Sequence, residues 1–145
     1  MCRAETFTAQ VDHVIDGDTI AVVRKGALVR VRLWGVDAPE RRQPRADEAL
    51  QFLARKLDGK TVEVDVVSRD RYKRLVARVS VKGQCLNVAL LKAGWAWWYA
   101  RYAPHADDYA AAHEDAKAAR RGVWMDSDAM APWEWRRRGD RCPKG

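Results

Sequence analysis

The sequence predicts a mainly β fold with α (α+β): a small barrel of five strands joined by about three helices. Three observations carry that prediction. Five short runs alternate apolar and polar residues, Asp-Gly and Lys-Gly pairs separate neighbouring runs, and three other segments repeat their apolar residues at helical spacing. At 145 residues the chain is long enough for one domain with a real core and short for two. A single domain over residues 1–145 is expected, with its core at about 6–125 and a basic Trp/Arg tail at 126–145.

The first strand is expected over Thr6 to Ile15, with Phe7, Ala9, Val11 and His13 on one face. Asp16-Gly17-Asp18-Thr19 turns the chain, Ile20 to Val23 forms a short apolar strand, and Lys25-Gly26 turns it again. From Leu28 to Leu33, Val29, Val31 and Leu33 alternate with Arg30 and Arg32 as a third strand, which Pro39 closes. Pro44 marks a basic loop between Arg41 and Arg45. Ala46, Ala49, Leu50, Leu53, Ala54 and Leu57 then follow helical spacing up to the stop at Gly59. Val62, Val64 and Val66 belong to a fourth strand, and Leu75 to Val81 to a fifth that ends at Lys82-Gly83. Asn87 is placed to cap a short helix through Leu90, Leu91 and Ala93. Pro104 and Asp107 open the last helix, in which Tyr109, Ala112, His113, Ala116, Ala119 and Arg120 follow helical spacing up to Gly122. Five strands with a helix between the third and fourth suit a closed barrel of the OB type.

Two acidic turns and one basic loop sit at strand ends. They are Asp16-Gly17-Asp18-Thr19, the run Arg32-Leu33-Trp34-Gly35-Val36-Asp37-Ala38-Pro39-Glu40, and Asp70-Arg71-Tyr72-Lys73-Arg74. An isolated Asp-Gly is more often only a hairpin turn. In this order, however, the three motifs resemble the staphylococcal nuclease (thermonuclease) family, a similarity that runs from about Val11 to Trp124. The resemblance implies an OB barrel and cleavage of DNA and RNA to products with 3′-phosphate ends. It assigns Asp18, Asp37 and the Ala38 carbonyl to a Ca²⁺ site, Glu40 to the general base, and Arg32 and Arg74 to the reacting phosphate. It also places Arg71, Tyr72 and Tyr102 against the substrate. Lys73 departs from the pattern by standing where many relatives have glycine. Tyr99 and Tyr102 do not both register with the family's tyrosine pair; Tyr102 fits.

The residue types suit that chemistry. Phosphodiester hydrolysis needs an activated water, a cation on the phosphoryl oxygens and rigid donors where charge accumulates. Carboxylate and carbonyl oxygens are the donors Ca²⁺ prefers, and about three of them leave positions for water and a substrate phosphate. Arginine offers a planar fork to phosphate that lysine cannot reproduce. The balance of 27 Lys+Arg against 20 Asp+Glu, a net +7, favours a polyanionic partner. DNA and RNA, single-stranded or frayed, are the expected partners of a monomer.

No run approaches the roughly 20 apolar residues that span a bilayer, and Met1–Gln10 has no apolar signal core, so no membrane association is expected. The resemblance implies a secreted or periplasmic protein, while the lack of a signal peptide leaves the cytoplasm open. Cysteine leaves two states open: a Cys2–Cys142 disulfide with Cys85 as a buried thiol, or free thiols throughout. No Cys-x-x-Cys or His-x-x-x-His spacing suggests zinc. The tryptophans at 95, 97 and 98 are weighted toward core over base stacking. His113 is read as a packing or surface histidine, Trp133 and Trp135 as packing anchors, and Arg136-Arg137-Arg138 as a mobile tail touching phosphates nonspecifically. Two noncatalytic readings compete with the enzyme. A nuclease-like module binding nucleic acid or protein would be expected to lack a ligand, the base or an arginine, and none is missing; a plain OB single-strand binder would ignore Ca²⁺.

Overall fold

A computed structural model describes residues 5–141. In chain order the elements are β1 (Glu5–Asp16), β2 (Thr19–Arg24), β3 (Ala27–Leu33), β4 (Val36–Asp37), α1 (Ala46–Leu57), β5 (Thr61–Arg69) and β6 (Leu75–Val81). β7 (Gln84–Cys85), α2 (Leu86–Lys92), β8 (Trp97–Trp98), α3 (Asp107–Ala118), a 3₁₀ turn (Gly122–Met125) and α4 (Pro132–Arg141) follow. The main sheet runs β3-β2-β1-β5-β6-β7. A parallel pairing of β3 with β6, Val31 opposite Leu75 and Leu33 opposite Ala77, closes β1, β2, β3, β5 and β6 into the expected OB-type barrel.

Alternation decides which side chains fill the barrel. Val62, Val64 and Val66 of β5 and Leu75, Ala77 and Val79 of β6 are buried, as are Val31 and Leu33 of β3. Ala49, Leu53 and Leu57, on one face of α1, are also fully buried and join the same core. In β1 the alternation fails after Val11. A register shift between Val11 and His13 turns His13 outward, where its Nδ1 lies 2.7 Å from Asp12 Oδ2, so it does not share the inner face with Ala9 and Val11.

Three expectations require correction. Asn87 is no cap: Cys85 precedes α2, and the Asn87 side chain is fully buried, accepting the Val79 N–H and donating to the Trp34 and Ala77 carbonyls at 3.0, 3.1 and 3.1 Å. A buried amide that meets two carbonyls and an N–H welds α2 to β6 and the β3–β4 turn. Cys85 is half-buried, a free thiol among the described residues, and the suggested Cys2–Cys142 pair lies outside them. Most consequentially, the predicted basic tail contains a fourth helix, α4. Pro132 stands at its first position, and the Ala131 carbonyl accepts the N–H groups of Glu134 and Trp135. Trp133 does act as an anchor, its ring 4.8 Å from that of Tyr99.

The remaining aromatic residues lean toward packing. Trp97 is buried against Trp124, with centroids 5.1 Å apart, and Trp98 donates from Nε1 to the Ala103 carbonyl. His113 lies edge-on to Trp98 and Trp124, where burial lowers its pKa and keeps it a neutral packing group. Among the described residues, no helix is long and apolar enough to cross a membrane.

Candidate active site

The two acidic turns meet because small residues let their backbones touch. A Cβ on Gly17 would lie 2.7 Å from the Ala38 Cβ and 3.0 Å from that of Ala49, so glycine is what seats the first turn on the second and on α1. Gly35 does the same below, at φ +73°, where a Cβ would strike Ala103 and the Tyr109 ring. The β4–β8 pairing, Asp37 opposite Trp97, and the Tyr99 N–H bonded to the Gly35 carbonyl at 2.9 Å hold this turn in place.

The side chains then interlock. Asp18 Oδ2 accepts the Ala38 N–H at 2.8 Å, and Asp18 Oδ1 accepts the Thr19 hydroxyl at 3.1 Å. Arg32, reaching between the turns, places Nη1 3.2 Å from Asp18 Oδ2 and Nη2 3.3 Å from Asp37 Oδ1 while donating to the Val36 and Leu33 carbonyls at 2.8 and 3.2 Å. Burial works to raise the Asp18 carboxyl, but the Arg32 charge and the surrounding donors hold it below the usual carboxylate range. Asp37 moves the other way: its burial and the nearby Asp18 charge outweigh its arginine partners. Asp16, whose Oδ1 accepts the Asp18 N–H at 3.1 Å, is pushed up to about 7 by burial and by Asp18. The site is therefore over-supplied with buried negative charge.

Glu40 lies at the rim, its backbone N–H fixed by Gln43 Oε1 at 3.0 Å. Its carboxylate is paired with Arg136 of α4, whose other nitrogen lies 2.9 Å from Asp37 Oδ2. This corrects the expected mobile tail: Arg136 is a member of the acidic cluster. Gln43 is part of the same device, since its Nε2 donates to the Met130 carbonyl just before α4.

Asp18, Arg32, Asp37, Ala38 and Glu40 thus come together, whereas the loop of residues 70–74 forms its own group. Asp70 accepts the backbone N–H groups of Tyr72 and Arg74 at 2.9 and 3.0 Å and the Arg74 Nε at 2.7 Å. That leaves both Arg74 Nη atoms without an acceptor among the described residues. Arg74 immediately precedes β6, whose Val76 pairs with Arg32 of β3, so the loop carrying Arg74 enters the sheet beside the strand that carries Arg32. Arg71 donates to the Tyr72 hydroxyl at 3.0 Å, and Tyr72 and Tyr102 are both exposed. Lys73 adopts φ +63°, the conformation that glycine enters without steric cost, so the departure from the family pattern leaves the turn intact.

Sequence reasoning missed Asp16, Gln43 and Arg136 as site residues. Asp16 carried a signal, two residues before Asp18 in a turn; Arg136 carried none, because 99 residues separate it from Asp37.

An OB-type barrel with carboxylates and arginines gathered at its strand ends defines the class of molecule. Within that class, residues 30–126 match the staphylococcal nuclease homologue family, and the chain belongs to it. It is 37% identical over 131 residues to an uncharacterized endonuclease of Escherichia coli, a match covering 89% of this chain and 84% of that protein. A micrococcal nuclease of Shigella flexneri is 35% identical over 141 residues, covering 90% and 81%. An uncharacterized endonuclease of Haemophilus influenzae is 35% identical over 137 residues, covering 94% and 76%.

Proposed function

We propose that this chain is a calcium-dependent phosphodiesterase that hydrolyses DNA and RNA, acts foremost on single-stranded or frayed regions, and leaves 3′-phosphate ends. The observation that carries the reading is the meeting of two acidic turns at the Gly17–Ala38 contact, which sets Asp18, Asp37 and Glu40 beside arginine in a nuclease family member. Among the described residues no three His, Cys, Asp or Glu side chains form a complete metal cluster. The donors nevertheless fit an open calcium site: Asp18, Asp37 and the Ala38 carbonyl supply hard oxygens, and a cation there would relieve the burial that raises Asp37. Bound there, Ca²⁺ supplies Lewis acidity for a water and a phosphoryl oxygen.

The chain's own groups do the rest. Glu40 accepts the proton of the attacking water as its oxygen bonds to phosphorus; the P–O5′ bond breaks, the departing O5′ takes a proton from solvent to become a 5′-hydroxyl, and the phosphate stays on the 3′ oxygen. Arg74 offers its two open Nη atoms to that phosphate, and Arg32 holds the carboxylates in register. Arg71, Tyr72 and Tyr102 present exposed donors and rings to the strand beyond.

The test is hydrolysis of DNA and of RNA by the purified chain in Ca²⁺, and in Mg²⁺ with a calcium-selective chelator. Turnover should require Ca²⁺, because Mg²⁺ demands tighter octahedral geometry and holds its waters. Undiminished turnover in Mg²⁺ with chelator overturns the calcium assignment. No hydrolysis under either condition favours a noncatalytic binding module.

Arg74→Lys separates charge from geometry. It keeps the cation but removes the planar fork, so kcat should fall by about 10–100-fold while nucleic-acid affinity changes little. Equal losses in both would reduce Arg74 to simple charge attraction.

A further inference from the structure

Helix α4 lies outside the residues matched by the family, 30–126, yet it delivers a side chain to the centre of the site. Arg136 Nη2 donates to Asp37 Oδ2 at 2.9 Å, and Nη1 donates to Glu40 Oε1 and reaches Asp37 Oδ1 at 3.5 Å. Three contacts dock the segment that carries it. Gln43 bonds the Glu40 N–H with one end of its amide and the Met130 carbonyl with the other. Arg45 grips Asp126 with two bonds of 2.9 and 2.8 Å, and Trp133 packs on Tyr99.

We propose that α4 is a built-in plug, with Arg136 standing as an internal cation on the oxygens of Asp37 and Glu40 until a divalent cation displaces it. This inference rests on the calcium reading above. Both Nη atoms are spent on carboxylates, so Arg136 does not present a fork to substrate in this state, in contrast to Arg74. Glu40 bonded to a guanidinium has an oxygen engaged that a water would need, and Asp37 is covered on its Oδ2 side. Arg32 and Arg136 together set two positive charges against the carboxylates of Asp18, Asp37 and Glu40, so a divalent ion in place of Arg136 supplies the charge that one arginine does not and is the stronger competitor. The arginine side chain is 47% exposed, so it can swing away without disturbing the barrel.

The experiment compares the full chain with Arg136→Ala and Arg136→Gln, the second keeping part of the stem and a hydrogen-bonding end without the charge. Calcium binding is measured by titration calorimetry without nucleic acid, and melting curves confirm that each protein is folded. Both variants should bind Ca²⁺ about tenfold more tightly than the parent, the scale of a released, partly exposed ion-pair network. The Ca²⁺ concentration for half-maximal DNA hydrolysis should fall by the same factor. Equal or weaker calcium binding in both variants overturns the plug and leaves the calcium reading intact. A tenfold or greater loss of kcat at saturating Ca²⁺ also overturns it, making Arg136 a substrate-binding residue instead. If none of the three proteins binds Ca²⁺, the calcium reading falls and the plug falls with it.

Discussion

A Glu40→Gln enzyme should turn over single-stranded DNA roughly 10²–10⁴-fold more slowly at saturating Ca²⁺, the contribution typical of a positioned general base. That loss corresponds to about 3–5 kcal/mol of barrier. The substitution preserves size and hydrogen bonding but cannot accept the water's proton. Glu40 is suited to the role by the way it is held: the Gln43 amide fixes its backbone, and the carboxylate stands beside Asp37, with Arg136 bonded to both. The competing explanation is that Glu40 serves only as a salt-bridge partner. Arg136 is the partner the structure gives it, and a half-exposed pair of that kind contributes about 0–1 kcal/mol. The two accounts differ by orders of magnitude in rate, and a second comparison separates them further. If Glu40 only anchored Arg136, Arg136→Ala would reproduce the Glu40→Gln defect; a base and a plug predict opposite effects at limiting Ca²⁺. Melting temperature and DNA affinity should move little. A fall in kcat of less than about tenfold, below the low end for a positioned base, removes the assignment.

What could be read from the sequence follows from which forces act locally. The strands of the barrel announced themselves because Val62, Val64 and Val66, or Val29, Val31 and Leu33, face one way along a pleat whatever they pair with. Their closure through parallel β3–β6 pairing depends on residues 44 positions apart, and the register shift in β1 is set by its partner strand; neither leaves a local mark. Asn87 was open to misreading because an asparagine before an apolar run looks like a cap, and only the assembled barrel brings Val79, Ala77 and Trp34 around it. The acidic turns stood out only through their order along the chain, since Asp-Gly alone reads as a hairpin turn; their meeting at the Gly17–Ala38 contact is a product of the fold. Helix α4 was not legible: Pro-Trp-Glu-Trp-Arg-Arg-Arg has no apolar stripe of ordinary length, and its docking relies on Tyr99, Gln43 and Arg45, each distant in the chain.

Arg32→Met should destabilise the fold by about 3 kcal/mol or more at neutral pH, the usual cost of removing one partner from a buried ion pair. The reason lies in how the carboxylates share their cations. Asp37 touches both Arg32 and Arg136, so it keeps a partner when Arg32 is lost. Asp18 has Arg32 as its cationic partner alone among the described residues, and it is itself buried, with its Oδ2 also accepting the Ala38 N–H. Methionine fills the arginine stem but leaves Asp18 charged and uncompensated, and it strips the donors from the Val36 and Leu33 carbonyls. Arg32 and Asp18 should therefore be strongly coupled. In an Asp18→Asn background the carboxylate is gone, while the amide oxygen can still accept the Ala38 N–H and the amide NH2 can donate to the Thr19 hydroxyl in place of accepting from it. There the Arg32→Met cost should fall to half or less, the remainder being the two carbonyls and Asp37. Urea unfolding of the parent, both single variants and the double variant closes the cycle. Equal costs in the two backgrounds would mean that Arg32 stabilises through packing and carbonyl bonds, with no measurable contribution from the Asp18 pair. Hydrolysis should be lost in all three variants, so stability, not activity, is the quantity that decides.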